Sequence, residues 1–118
     1  MTYLVANISS GKGTLAHVNK VIEDIGWEKI FLITTKEARL RFSPNKDVEY
    51  IMIDENKHTP ELTQDIYSKL KGKILDTEVA LNMISGNGKE HMATLSALLK
   101  LGLGIRLIAL TTEGVREI

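Results

Sequence analysis

The chain has 118 residues, 43% hydrophobic and 25% charged, which suits one globular domain over 1–118 and leaves no room for a second. Fifteen Lys and Arg balance fifteen Asp and Glu, so no overall basic field attracts a nucleic-acid duplex. The absence of cysteine removes disulfides, thiolate metal sites and cysteine nucleophiles, and it fits a reducing cytoplasm.

The N-terminus enters a strand pattern directly, without the basic region and cleavage site of a signal peptide. No apolar run approaches a membrane span. Residues 3–8 read as a buried strand, followed by a Gly-rich loop from Ser9 to Thr14. Leu15, Val18, Val21, Ile22 and Ile25 then recur at helical spacing, and Gly26 stops that helix. Residues 30–33 form a second buried strand, and a short helix over about 36–42 leads to the turn Ser43-Pro44-Asn45. Residues 48–53 are a third strand. Thr59-Pro60 reads as an N-cap with proline at the first helical position. Leu62, Ile66 and Leu70 stripe that helix, and Gly72 ends it. Residues 79–84 are a fourth strand and Ser85 to Lys89 a second Gly-rich loop. Met92, Leu95 and Leu99 line a fourth helix that Gly102 stops. Residues 105–110 make a fifth strand, in which Arg106 suggests a sheet edge.

Apolar strands alternating with helices predict an α/β fold: a three-layer, Rossmann-like parallel sheet of about five strands with right-handed crossovers. The expected order is 3-2-1-4-5. Strands one and four are then neighbours at the switch point, where ligands bind at the carboxyl ends of the strands.

The two Gly-rich loops resemble each other. Ala6-Asn7-Ile8-Ser9-Ser10-Gly11-Lys12-Gly13 and Leu81-Asn82-Met83-Ile84-Ser85-Gly86-Asn87-Gly88 both read apolar-Asn-apolar-x-Ser-Gly-x-Gly. Each enters a helix and continues to a strand closing in Thr-Thr, at Thr34-Thr35 and Thr111-Thr112, with a two-residue insertion in the second copy. Each loop offers backbone N–H groups, hydroxyls and a lysine (Lys12, Lys89) at a helix N-terminus, an arrangement that favours phosphate. The alternative is that the glycines serve turns and the serines cap helices. Ser10-Gly11-Lys12-Gly13-Thr14 looks like the end of a nucleotide-kinase P-loop, and Tyr50 to Glu55 like its acidic strand. That pattern, however, needs Gly where Ala6 stands and Ser or Thr where Gly13 stands.

Asn82-Met83-Ile84-Ser85-Gly86-Asn87-Gly88-Lys89 resembles the fourth-strand motif of CRISPR-associated Rossmann-fold (CARF) domains: Asp or Asn, any residue, Ser or Thr, three residues, then Lys or Arg. Ser85 and Lys89 match the hydroxyl and the base. The first position falls on Met83, one residue from Asn82, and departs from the pattern. The loop from Ser9 to Thr14 is similar to that family's polar loop after strand one. The resemblance implies a homodimer that binds a cyclic oligoadenylate across its two-fold axis. The implied contacts are Asn7, Ser9, Ser10, Gly11, Lys12, Gly13, Thr14, Thr34, Asn82, Ser85, Gly86, Asn87, Gly88, Lys89, His91 and Thr111. Some relatives, the ring nucleases, cleave the ring without metal, a ribose 2′-hydroxyl attacking the neighbouring phosphate. Ser10, Lys12, Ser85 and Lys89 are the candidate catalytic residues. No cofactor, metal or duplex nucleic acid is called for, and no carboxylate cluster is expected at the loops.

The remaining residues have plainer readings. His91 is expected in the first turn of the fourth helix, as a solvated or capping residue rather than a general acid or base. His17 is expected on the first helix's polar side and His58 in a loop, without metal spacing. Trp27 reads as a packing or interface residue, and Met83 and Met92 as core. Two other functional classes remain open: a small enzyme using a nucleotide or sugar phosphate, and a non-enzymatic dimeric regulatory subunit.

Overall fold

A computed structural model describes residues 3–9 and 13–118. The elements run β1 (Tyr3–Ile8), α1 (Leu15–Asp24), β2 (Lys29–Thr34), α2 (Lys36–Leu40), β3 (Glu49–Met52), α3 (Thr59–Leu70), β4 (Glu78–Asn82), α4 (Gly88–Lys100), β5 (Gly104–Thr111) and β6 (Gly114–Glu117). They form an α/β fold on one six-stranded sheet of order β3-β2-β1-β4-β5-β6. The first five strands in that order pair in parallel, and β6 returns antiparallel to β5.

Strand alternation divides the core into two layers. Leu4, Ala6 and Ile8 of β1 point to one face, where Val18, Val21 and Ile22 of α1 and Ala38 of α2 cover them. Val5, Phe31, Ile33 and Leu81 point to the other, under Leu62, Ile66 and Leu70 of α3 and Ala93, Ala97 and Leu98 of α4. Burial on both faces is why β1 reads as a continuous apolar run rather than an alternation. Trp27 packs on the α1 layer and donates its indole N–H to the Val21 carbonyl at 2.8 Å.

Three expectations are corrected. β5 is not an edge, because the chain turns at Thr111 and adds β6 beside it. Arg106 lies among acids instead, 3.5 Å from Glu78 and 3.7 Å from Glu117 on the flanking strands. The buried stripe of α4 is Glu90, Ala93, Thr94, Ala97 and Leu98, while Met92 and Leu99 face outward. The N-cap of α3 is His58, which moves Thr59-Pro60 one position into the helix. No helix among the described residues is long and apolar enough to cross a membrane.

Candidate functional site

β1 and β4 are adjacent and parallel, with Ala6 opposite Asn82, so the loops leaving them start side by side. The backbone N–H of Ser9 donates to the hydroxyl of Ser85 at 2.8 Å. Ser85 is fully buried. Its hydroxyl therefore ties one loop to the other at the switch point instead of facing solvent.

The matched asparagines are both buried and point to opposite faces. Asn7 donates to Thr94 Oγ1 of α4 at 3.0 Å, and its buried Oδ1 meets no hydrogen-bond donor among the described residues. Asn82 donates to the Ile108 carbonyl at 2.8 Å and lies 3.1 Å from His17 Nε2 of α1. Each asparagine thus reaches the helix that follows the other's strand. His17 and Thr94 correspond at the same offset that carries Thr34 onto Thr111, so the internal likeness extends from the sequence into the packing. His17 is not a free polar-face residue: its Nε2 also accepts from the Leu110 N–H at 3.1 Å. Loss of solvent at this site lowers its proton affinity below the ordinary histidine value.

The β4–α4 loop is held from every side. Asn87 caps α4 by accepting from the Glu90 N–H at 2.9 Å, and Glu90 returns the bond to the Asn87 N–H at 3.0 Å. This reciprocal capping box engages two of the amides that an anion would otherwise meet. Gly86 has φ +107°, and a Cβ there would lie 2.8 Å from Glu90 Oε1. His91 Nε2 lies 2.8 Å from the Ser85 carbonyl, which accepts only, so this nitrogen carries the proton. The Lys89 ammonium donates to the carbonyls of Glu55 and, at 2.9 Å, Lys57 in the β3–α3 loop.

Of the remaining candidates, Gly13 is exposed and Thr14 is the N-cap of α1. Gly88 is the first residue of α4. Thr34 is buried and donates to the Thr35 carbonyl at 3.1 Å. Thr35 caps α2, and Thr111 serves the β5–β6 turn by donating to the Gly114 carbonyl at 2.8 Å. Ser10, Gly11 and Lys12 lie outside the described residues.

A recess of about 220 Å³ opens beside the loops, lined by Ser9, Thr35, Glu37, Glu55, Gly86, Asn87 and Glu90. Its three carboxylates correct the expectation that none converge here. The β3–α3 loop folds back over the carboxyl ends of the strands and brings Glu55 in. Among the described residues, no three His, Asp or Glu side chains are placed to hold a metal ion. Sequence reasoning missed Glu90, although Asn87 followed three residues later by Glu is a readable capping signal. It also missed His17 and Thr94, whose partners are remote in sequence. Compared with known proteins, the chain matches no family model and no curated protein sequence.

Proposed function

We propose that this chain binds a cyclic oligoadenylate over the paired loops after β1 and β4, as a homodimer, and cleaves it slowly without metal. The observation that carries the reading is the bond from Ser9 N–H to Ser85 Oγ, which joins two loops of like sequence at the switch point. Lys89 is engaged with loop carbonyls. Neutralisation of phosphate therefore falls to Lys12 and to backbone N–H groups at the start of α1. Ser85 shapes the site, and Ser10 and Lys12 are the groups assigned to the reacting phosphate. A recess of about 220 Å³ is smaller than the ~300–1,000 Å³ of ordinary ligand pockets, which suits a ribose better than a whole nucleotide. The ring then lies over the loops, with ribose hydroxyls donating toward Glu37 or Glu55.

The dimer is supported by the distribution of exposed apolar side chains. Among the described residues, five of the seven large ones gather on α4 and the neighbouring strand ends: Ile84 (47%), Met92 (68%), Leu99 (61%), Leu107 (40%) and Ile118 (75%). On that face Ile105 of β5 packs under the α3–α4 layer while Leu107 stays exposed, and after β5 the chain forms a hairpin where a doubly wound sheet would add another crossover.

The test is calorimetry with a panel of cyclic oligoadenylates, followed by chromatography of the products. The expected result is binding of one ring per two chains, with linear products in the presence of EDTA. No heat with any ring overturns the reading. A sugar-phosphate enzyme is the second reading, favoured by the carboxylate-lined recess within a single chain. Binding of a sugar phosphate, with none of any ring, selects it.

A further inference from the structure

The network beneath the paired loops is ordered by donors and acceptors whose roles are not interchangeable. The Leu110 N–H only donates, so His17 Nε2 must present its lone pair. The Ile108 carbonyl only accepts, so the nitrogen of Asn82 faces it. The oxygen of Asn82 is then left for the Ile84 N–H, at 3.3 Å. Ile84 leads directly into Ser85, whose hydroxyl holds Ser9. A continuous path therefore runs from α1 through His17, Asn82 and Ile84 to the bond that joins the two loops.

We propose that His17 is a positioning residue for the paired loops: its neutral ring holds Asn82, and through it the β4–α4 loop, and protonation of that ring releases them. Protonated Nε2 becomes a donor facing two donors, the Leu110 N–H and the Asn82 amide, so both bonds are lost and the cation is repelled. His91 behaves oppositely. Its Nε2 already donates to the Ser85 carbonyl, and that bond survives protonation. The two histidines at the site thus respond differently to one proton, and only His17 is broken by it.

The surroundings leave His17 with this role. α1 lies against β1, β5 and β6. The α1-facing residues of β1 are Leu4, Ala6 and Ile8, none of them ionisable. On β4, β5 and β6 the ionisable groups of that face are Glu78, Arg106 and Glu117, which pair with one another. Glu113 lies in the turn beyond Leu110. On α1 itself Lys20 pairs with Asp24 at 3.3 Å, and Glu23 accepts from Asn19 and Asn45. Arg106 lies four residues before Leu110 along β5 and has its own acids. Burial lowers the proton affinity of His17, which keeps the ring neutral near pH 7 and the loops joined.

The inference rests on the loops being the binding site only for its effect on ligand, so the test has a ligand-free arm. Amide NMR signals of the free protein are followed between about pH 7.5 and 5. Leu110 touches His17 and moves on any account; Ile84 and Ser9 are the informative reporters. The expected result is that both shift with the midpoint of the His17 ring, and that His17→Gln, whose amide oxygen accepts but does not titrate, abolishes the shift. The inference is overturned if Ile84 and Ser9 hold still while His17 titrates, or if they shift equally in His17→Gln. The wild-type titration decides the matter even where the variant fails to fold. In the second arm, cyclic tetra-adenylate binding weakens by up to about tenfold per pH unit below that midpoint in wild type and not in His17→Gln. Absence of binding at pH 7.5, with the amides shifting as described, overturns the ring reading alone.

Discussion

At Gly86 the backbone and its neighbours make the same demand. The positive φ of +107° disfavours any side chain, and a Cβ would press on Glu90 Oε1 at 2.8 Å and His91 Nε2 at 3.1 Å. Gly88, two residues on, begins α4 with open space around its Cα. Gly86→Ala is expected to cost about 2–4 kcal/mol, combining strain with a disturbed capping box. Gly88→Ala is expected to be neutral or to stabilise by up to about 1 kcal/mol, since Ala favours the helix. Urea denaturation of the two variants separates them, and equal midpoints would refute the account. Lys89 poses a sharper question. Its position in the motif suggests phosphate, yet its ammonium holds the carbonyls of Glu55 and Lys57. Lys89→Ala is therefore expected to cost about 1 kcal/mol and to speed amide exchange in residues 54–58. Unchanged exchange with weakened ring binding would restore the lysine to the ligand.

The elements show why some of this was readable and some was not. β1, β2 and β4 are apolar runs buried on both faces, and such runs declare a parallel sheet without help from their neighbours. α4 did not declare its face. Met92, Leu95 and Leu99 have helical spacing, but so do Ala93, Ala97 and Leu98, and the smaller set won because α3 and the sheet approach closely there. β6 carries one buried apolar residue, Val115, between polar ones, too weak a pattern to announce a strand. At the site, the pairing of the two loops was legible because it follows from strand order. The bonds of His17, Thr94 and Lys89 were not, because each joins residues that only tertiary structure brings together. His17 ties α1 to β5, and this makes the docking of that helix pH-dependent. Its folded-state proton affinity is lowered by burial, so the unfolded chain binds the proton more readily. The stability it contributes is complete above the unfolded value of about 6.5 and declines as pH falls below it. Urea midpoints at about pH 7.5 and 5.5 are expected to differ more in wild type than in His17→Gln. Equal differences would show that the ring's protonation is not linked to folding.

At the scale of the whole molecule, the sheet is covered unequally. α1 and α2 lie on one face, and α3 and α4 on the other, but the α3–α4 side covers β5 at Ile105 and leaves Leu107 exposed. A recess of about 210 Å³ there is lined by Met83, Ile84, Leu107, Ala109 and Ile118 among others, without one ionisable side chain. Ile84, Met92, Leu99, Leu107 and Ile118 are exposed on α4 and the strand ends, and a standard interface buries ~800 Å² per partner. A second copy suits this surface better than a charged partner does. Self-docking sets each recess against its own copy, and a lining without ionisable side chains meets little like-charge penalty. The formal net charge of zero removes long-range repulsion between copies. A dimer formed through this recess would bring both copies of Ile84, one of its lining residues, near the two-fold. Sedimentation at micromolar concentration is therefore expected to show a dimer. Leu107→Glu should convert it to a monomer while leaving the circular dichroism spectrum intact, because the side chain is 40% exposed and lies outside the packed layers. A wild-type monomer, or a Leu107→Glu dimer, would place the second copy elsewhere and remove the support that this face gives to ring binding.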